Sequence, residues 1–218
     1  MTQVFLASRN AKKLAEMQRI LAVYVPDIEV LGLDDVAHYD EPAETEPTFE
    51  GNALIKARVA VEATGLPSLA DDSGLCVDAL NGMPGVLSAR WSGTAKDDRA
   101  NNELLLAQLE DVPDERRTAR FRCAVAFAYP VGAGGVTEHV VHGEMPGHVI
   151  REMRGDGGFG YDVLFVADGH DKTSAELPPD EKDAISRSAL PRCEIASFSS
   201  GGSSADVLSC PSATKSTS

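Results

Sequence analysis

The sharpest chemical feature of the chain is Asp71-Asp72-Ser73-Gly74, two adjacent carboxylates at the end of a short extended run over residues 66–70. Carboxylates leaving an apolar strand are costly unless they are solvated, paired or bound to a metal. Successive side chains of an extended segment point to opposite faces, so only one of the pair is expected in a shared site. Glu44, upstream in an acidic loop, can supply a second oxygen ligand. Magnesium takes few carboxylates and several waters, and substrate phosphate oxygens complete its octahedron. The alternative, that Asp71 caps a turn and Asp72 faces solvent, stays open on the residues alone. Hydrolysis of a phosphoanhydride also needs charge neutralisation, an aimed water and a base. Lys13 and Lys56 are the candidate cations, although each alone has the ordinary character of a surface lysine. Phe159 lies in the Gly-rich stretch 155–162 and can either stack on a base or fill a core. That stretch precedes a strand pattern instead of following one, which argues against a dinucleotide fingerprint.

The elements that must position these groups follow from periodicity. Residues 4–7 form a short apolar run of strand type, ended by Ser8-Arg9-Asn10. Asn10 is a good N-cap, and Leu14, Met17, Ile20 and Leu21 recur at helical spacing after it. A strand, polar turn and helix in that order present free backbone N–H groups that attract phosphate. Residues 34–48 are acidic, contain Pro42 and Pro47, and read as a loop. Thr48 caps a second helix running to about Thr64, with Gly65 as its stop. Phe49, Asn52 and Lys56 fall on one stripe of it, and Ala53, Ala57, Ala60 and Val61 supply the packing side. Residues 81–96 are irregular and hold the only Trp, Trp91. Asp97 or Asp98 starts a third helix with Leu104, Leu105, Leu106 and Leu109 as its core side. Residues 119–129 alternate as a strand, 132–135 turn the chain, and 136–144 return as a hairpin partner. A strand is expected over 163–166, and a last helix from Pro179 or Asp180 to about Leu190. Helices interleaved with strands plus one long hairpin make an α/β fold with a mixed sheet. The expected organisation is a single domain over 1–195 and a Ser/Gly-rich disordered tail over 196–218.

The formal net charge of −14 excludes DNA or RNA as the main partner, because polymer binding needs a basic face. A small phosphorylated ligand remains admissible, since it needs only a few local cations or N–H groups. Cys76, Cys123, Cys193 and Cys210 are widely spaced, as expected of reduced thiols and not of a disulfide frame or zinc site. The N-terminal apolar run is too short for a signal peptide and no segment suits a bilayer, so a soluble cytoplasmic protein without membrane partners is expected.

Five motifs in order then carry a resemblance. They are Ser8-x-Asn10-x-x-Lys13, Phe49-x-x-Asn52-Ala53-x-x-Lys56-Ala57, Ala70-Asp71-Asp72-Ser73-Gly74-Leu75, Pro84-Gly85-x-x-Ser88-Ala89-Arg90 and Gly158-Phe159-Gly160-Tyr161-Asp162. Over about residues 3–186 the chain resembles the inosine triphosphate pyrophosphatase family. That resemblance implies an elongated mixed β-sheet with flanking helices, two lobes and a central active-site cleft, usually as a homodimer. It implies cleavage of non-standard purine nucleoside triphosphates such as ITP, dITP and XTP to the monophosphate and pyrophosphate. Position by position, Ser8, Arg9, Asn10, Ala11, Lys12 and Lys13 would bind the triphosphate. Glu44 and Asp72 would hold Mg2+, and Asp72 would also serve as base. Asn52, Lys56 and Asp71 would support them, Ser73 would contact substrate, Phe159, Gly160, Tyr161 and Asp162 would hold the purine, and Lys182 would touch the nucleotide.

The pattern breaks near the end. The family continues Lys-x-x-x-Ser-His-Arg-Gly, whereas Lys182 is followed by Asp183-Ala184-Ile185-Ser186-Arg187, so the His is absent. Arg187 either stands in its place or is the family's Arg shifted by one residue. Pro191 blocks continuation of a helix. A 6-keto purine offers an acceptor where adenine offers an amino donor, so donors at that edge favour keto bases. With the His missing, weaker rejection of ATP is expected while the chemistry at Asp72 survives. Two other readings stay in play: a pyrophosphatase for other modified nucleotides, and a catalytically weakened nucleotide-binding protein.

Overall fold

A computed structural model describes residues 2–9, 11–178, 181 and 185. Along these the chain forms β1 (Thr2–Leu6), α1 (Ala11–Ala22), β2 (Ile28–Leu31), α2 (Phe49–Thr64), β3 (Ser68–Val77), β4 (Met83–Pro84), α3 (Asp98–Gln108), β5 (Thr118–Val131), β6 (Gly135–Val149) and β7 (Phe165–Ala167). A 3-10 helix, Gly85–Arg90, follows β4. The strands make one mixed sheet in the order β2-β1-β3-β5-β6-β7, with β4 paired to β3. β1 is parallel to both β2 and β3, and every other pairing is antiparallel. This is the α/β mixed-sheet class expected from the alternation of helical and strand patterns.

Three buried clusters show how the sheet is divided. On one face, Val4, Leu6, Leu69 and Phe127 pack with Leu21 of α1. On the other, Ala70, Ala124, Ala126 and Ala128 pack against Ala53, Ala57 and Val61 of α2, where small side chains let the helix lie close. At the far end of β3, Leu75 and Val77 join Leu105 of α3 and Leu109 just past its end with Leu164 and Phe165. Residues 71–74 of β3 belong to none of the three clusters. The polar stretch of the strand therefore lies between two apolar ends.

Several expectations are corrected. β3 does not stop at Asp71; it runs on to Val77, so both carboxylates lie inside a strand. The returning arm of the hairpin reaches Val149, five residues beyond 144. The last strand is Phe165–Ala167, with 163 and 164 in a turn, and the four-residue edge strand β2 had no expectation at all. The expected final helix, apart from residues 181 and 185, and the Ser-rich tail fall outside the described residues.

Candidate active site

The site opens where β1 ends and β3 continues. The β1–β3 ladder closes at Leu6↔Leu69, and β4 takes up the same edge of β3 only at Cys76↔Pro84. Between them β3 has a neighbouring strand, β5, on one edge alone. The gap lies at the carboxyl end of β1, where open α/β sheets bind their ligands. Strand alternation then separates the two aspartates. Asp71 shares the face of Leu69 and meets α1, where Lys13 Nζ donates to its Oδ2 at 2.5 Å. Asp72 shares the face of Ala70 and meets α2, and the structure thus gives each carboxylate its own lysine.

α2 is placed by local chemistry legible in its sequence. The Thr48 hydroxyl accepts from the Gly51 N–H at 3.0 Å, and Gly65 closes the helix in the left-handed conformation at φ 69°. Asn52 and Lys56 follow on one stripe facing β3. Lys56 Nζ donates to Asp72 Oδ1 at 3.0 Å and to the Asp71 carbonyl at 3.2 Å. Asn52, fully buried, donates from Nδ2 to Asp72 Oδ2 at 3.2 Å and accepts the Glu46 N–H at 2.9 Å. One amide thereby fixes both Asp72 and the loop that carries Glu44.

Glu44 closes the arrangement. Its Oε1 lies 2.6 Å from Lys56 Nζ, and its Oε2 accepts from Arg90 Nη1 at 2.5 Å. Lys56 sits between the carboxylates of Glu44 and Asp72, so they meet at a single ammonium. Arg90 ends the 3-10 helix, whose Ser88 Oγ accepts from the Leu75 N–H at 2.9 Å and donates to the Gly85 carbonyl at 2.7 Å. A side chain at Gly74 would collide with Ser88 and with the Gly85 carbonyl, so glycine is what lets this segment seat on β3. Sequence reasoning quoted Arg90 within a motif and gave it no task; the 46-residue separation from Glu44 hid the contact.

Ser8, Arg9, Lys13, Glu44, Lys56, Asp71, Asp72, Ser73 and Arg90 all line one open cavity of about 430 Å³, together with Tyr39, Glu41 and Lys96. Five cationic side chains face four carboxylates there, in a chain whose net charge is −14. The local balance is what an anionic ligand needs. Burial pushes the Asp72 carboxyl above its usual value despite Lys56. Burial acts the same way on Glu44, but hydrogen bonds from Lys56 and Arg90 outweigh it and hold that group below the usual range. Burial would lower Lys13 and Lys56, yet their carboxylate partners win and both are raised. Among the described residues no group of three or more His, Cys, Asp or Glu is arranged to hold a metal. The pair Glu44 and Asp72 fits magnesium, which takes few protein carboxylates and draws its remaining oxygens from water and phosphate.

The other expected residues distribute differently. Ala11 lines an adjoining cavity of about 330 Å³ that shares Ser8, Arg9, Tyr39 and Glu41 with the first. Phe159, Gly160, Tyr161 and Asp162 are not among the residues lining the carboxylate cavity. They are tied to it through the Tyr161 hydroxyl, which donates to the Ser88 carbonyl at 3.0 Å. Phe159 is 65% exposed, so it fills no core. Asn10, Lys182, Arg187 and the side chain of Lys12 lie outside the described residues.

Residues 4–190 match the Ham1 family. The chain belongs to the Ham1 family. A Ham1-family relative, the dITP/XTP pyrophosphatase of Nocardia farcinica, is 64% identical over 187 residues, 85% of this chain and 89% of the relative. The dITP/XTP pyrophosphatase of Frankia alni is 54% identical over 201 residues, covering 90% and 96%. Among solved structures, the nucleoside-triphosphatase / dITP/XTP pyrophosphatase of Mycobacterium abscessus is 52% identical at a TM-score of 0.74, covering 90% of this chain and 98% of that one. A HAM1 protein from Coxiella burnetii is 40% identical at a TM-score of 0.79, covering 91% and 98%. The Ham1 fold of these structures is the mixed α/β architecture described above. No helix among the described residues is long and apolar enough to cross a membrane.

Proposed function

We propose that the chain is a pyrophosphatase that hydrolyses dITP, ITP and XTP to the monophosphate and pyrophosphate, using Mg2+, as a cytoplasmic homodimer. The observation that carries the chemistry is the meeting of Glu44 and Asp72 on Lys56, in a cavity that also holds Lys13, Arg9 and Arg90. The substrate class draws its support from the names of the relatives and from the motif resemblance. The dimer rests on that resemblance, and the compartment on the four widely spaced cysteines, which suit a reducing environment.

A magnesium ion held by Glu44 and Asp72 would neutralise charge on the phosphates and lower the pKa of a bound water. The remaining work falls to side chains. Lys13 and Arg9, at the end of β1 and the start of α1, are placed to neutralise the charge that develops on the departing pyrophosphate. Asp72 is held through both oxygens, Oδ1 by Lys56 and Oδ2 by Asn52, so its carboxylate has little rotational freedom. Fixed this way at the wall of the cavity, it is placed to serve as a base for the water attacking the α-phosphorus. Lys56 and Arg90 together fix Glu44 and keep that carboxylate ionised at neutral pH.

Replacing Asp72 with Asn tests this reading. The amide keeps the size and one acceptor but cannot take a proton, so turnover of ITP should fall by about a thousandfold or more while nucleotide binding persists. Turnover within tenfold of wild type would remove Asp72 from the mechanism.

A further inference from the structure

Phe159 stands exposed in a Gly-rich loop, yet the backbone around it is fixed at three points. The Phe159 N–H donates to Asp162 Oδ2 at 2.8 Å. The Gly160 N–H donates to Asp98 Oδ2 at 2.8 Å, and the Gly160 carbonyl accepts from Asn102 Nδ2 at 2.8 Å. Gly160 has φ +59°, a conformation that side chains rarely adopt. Both outer grips come from α3, at positions i and i+4, which lie on one face of the helix. A single face of α3 therefore holds both polar groups of the glycine next to Phe159.

Asn102 supplies a second, independent observation. It is 2% exposed, and its Nδ2 lies between two carbonyls, those of Asp98 at 2.7 Å and Gly160 at 2.8 Å. Two acceptors fix which end of the amide faces them. The Oδ1 is then buried without a hydrogen-bond partner. An orphaned buried oxygen destabilises a fold, and an apolar side chain of the same shape would avoid it. An amide kept at that cost points to a task other than packing.

We propose that Asp98 and Asn102 are positioning residues for recognition of the nucleotide base. They hold Gly160 so that the Phe159 ring is presented to the purine, and they do this from a helix that contributes nothing to the carboxylate cavity. The proposal rests on the reading of residues 159–162 as the base-holding loop. Sequence gave neither residue a role at the base-holding loop, because the contacts to Gly160 span 62 and 58 residues.

The test compares Asp98→Ala, Asp98→Asn and Asn102→Leu with wild type, using ITP as substrate and inorganic tripolyphosphate as a base-free competitive inhibitor, both with Mg2+. Loss of one grip should raise KM for ITP about tenfold, the factor that about 1.4 kcal/mol represents, with kcat within about twofold. The inhibition constant of tripolyphosphate should not move, because it has no base to place. Asp98→Asn, which retains an acceptor oxygen, should recover most of the KM. Unshifted KM values in Asp98→Ala and Asn102→Leu would overturn the proposal, as would a parallel shift in tripolyphosphate inhibition, which marks general distortion. Wild type that releases no pyrophosphate from ITP would instead overturn the functional reading beneath it.

Discussion

Replacing Lys56 with Met removes the one ammonium on which two carboxylates converge while keeping an unbranched side chain of similar length. The lysine lies 2.6 Å from Glu44 and 3.0 Å from Asp72, with side-chain exposures of 21%, 26% and 9% for the three residues. At such separations and an effective dielectric near 20, each attraction is worth about 6 kcal/mol before desolvation is charged against it. Burying the ammonium takes back most of that sum, and Glu44 keeps Arg90. A net loss of about 2–3 kcal/mol at neutral pH is expected. The loss should itself depend on pH. Without the lysine both carboxyls lose an attraction that holds their pKa down, so each rises from its wild-type value and the folded state is penalised where they are ionised. The destabilisation should be greatest at about pH 7 and shrink toward about pH 4, as the groups take up protons. Millimolar Mg2+ should restore part of it at pH 7 by binding the folded state alone. Urea unfolding of both proteins at the two pH values, with and without the metal, reads all three effects. A difference that stays constant between the two pH values would refute the reasoning, because Lys56 would then not be neutralising these carboxylates.

Other consequences follow from the same geometry. Burial, with Asp71 adding to it, pushes the Cys123 thiol up to about 12. Iodoacetamide at about pH 8 should therefore label Cys123 at least a hundredfold more slowly in the folded protein than in urea, read by peptide mass; equal rates would contradict it. Arg117, 2% exposed, donates to the carbonyls of Leu109, Val149 and Ile150 at 2.7, 2.9 and 2.9 Å. Arg117→Met strands three acceptors where α3 meets the hairpin and should cost about 3 kcal/mol in chemical denaturation, whereas a loss below about 0.5 kcal/mol would show that they find other partners. Because His is missing after Ser186, the ratio of kcat/KM for ITP over ATP should be low for the family, and restoring it by Arg187→His should raise the ratio; no change would put base selection elsewhere.

What could be read from sequence was set by range. The helix bearing Asn52 and Lys56 was legible because Thr48, Gly65 and the alanine stripe are all local signals. The strand through Asp71 and Asp72 was not, since paired carboxylates argue against a strand interior. The fold accommodates them by giving each face its own lysine, from α1 and from α2, and by leaving that edge of β3 open. Strand alternation did anticipate that the two would part. Glu44 and Asp72 were expected as ligands of one metal and Lys56 as their support; that Arg90 holds Glu44 was not legible, because the two lie 46 residues apart and no periodicity connects them. Phe159 was undecided between a core and a ligand, and only its exposure decides that it fills no core. The grip of α3 on Gly160 had no local signature, because Asp98 reads first as a helix start and Asn102 as an ordinary helical residue.

The proposed reaction is attack of water on the α-phosphorus of a purine triphosphate held in this cavity. Turnover of ITP with Mg2+ in heavy-oxygen water, with products resolved by mass spectrometry, reports the atom attacked. Attack at the α-phosphorus yields labelled IMP and unlabelled pyrophosphate in equal amounts. Orthophosphate with IDP as the first products, or label in the pyrophosphate instead of the IMP, would contradict it.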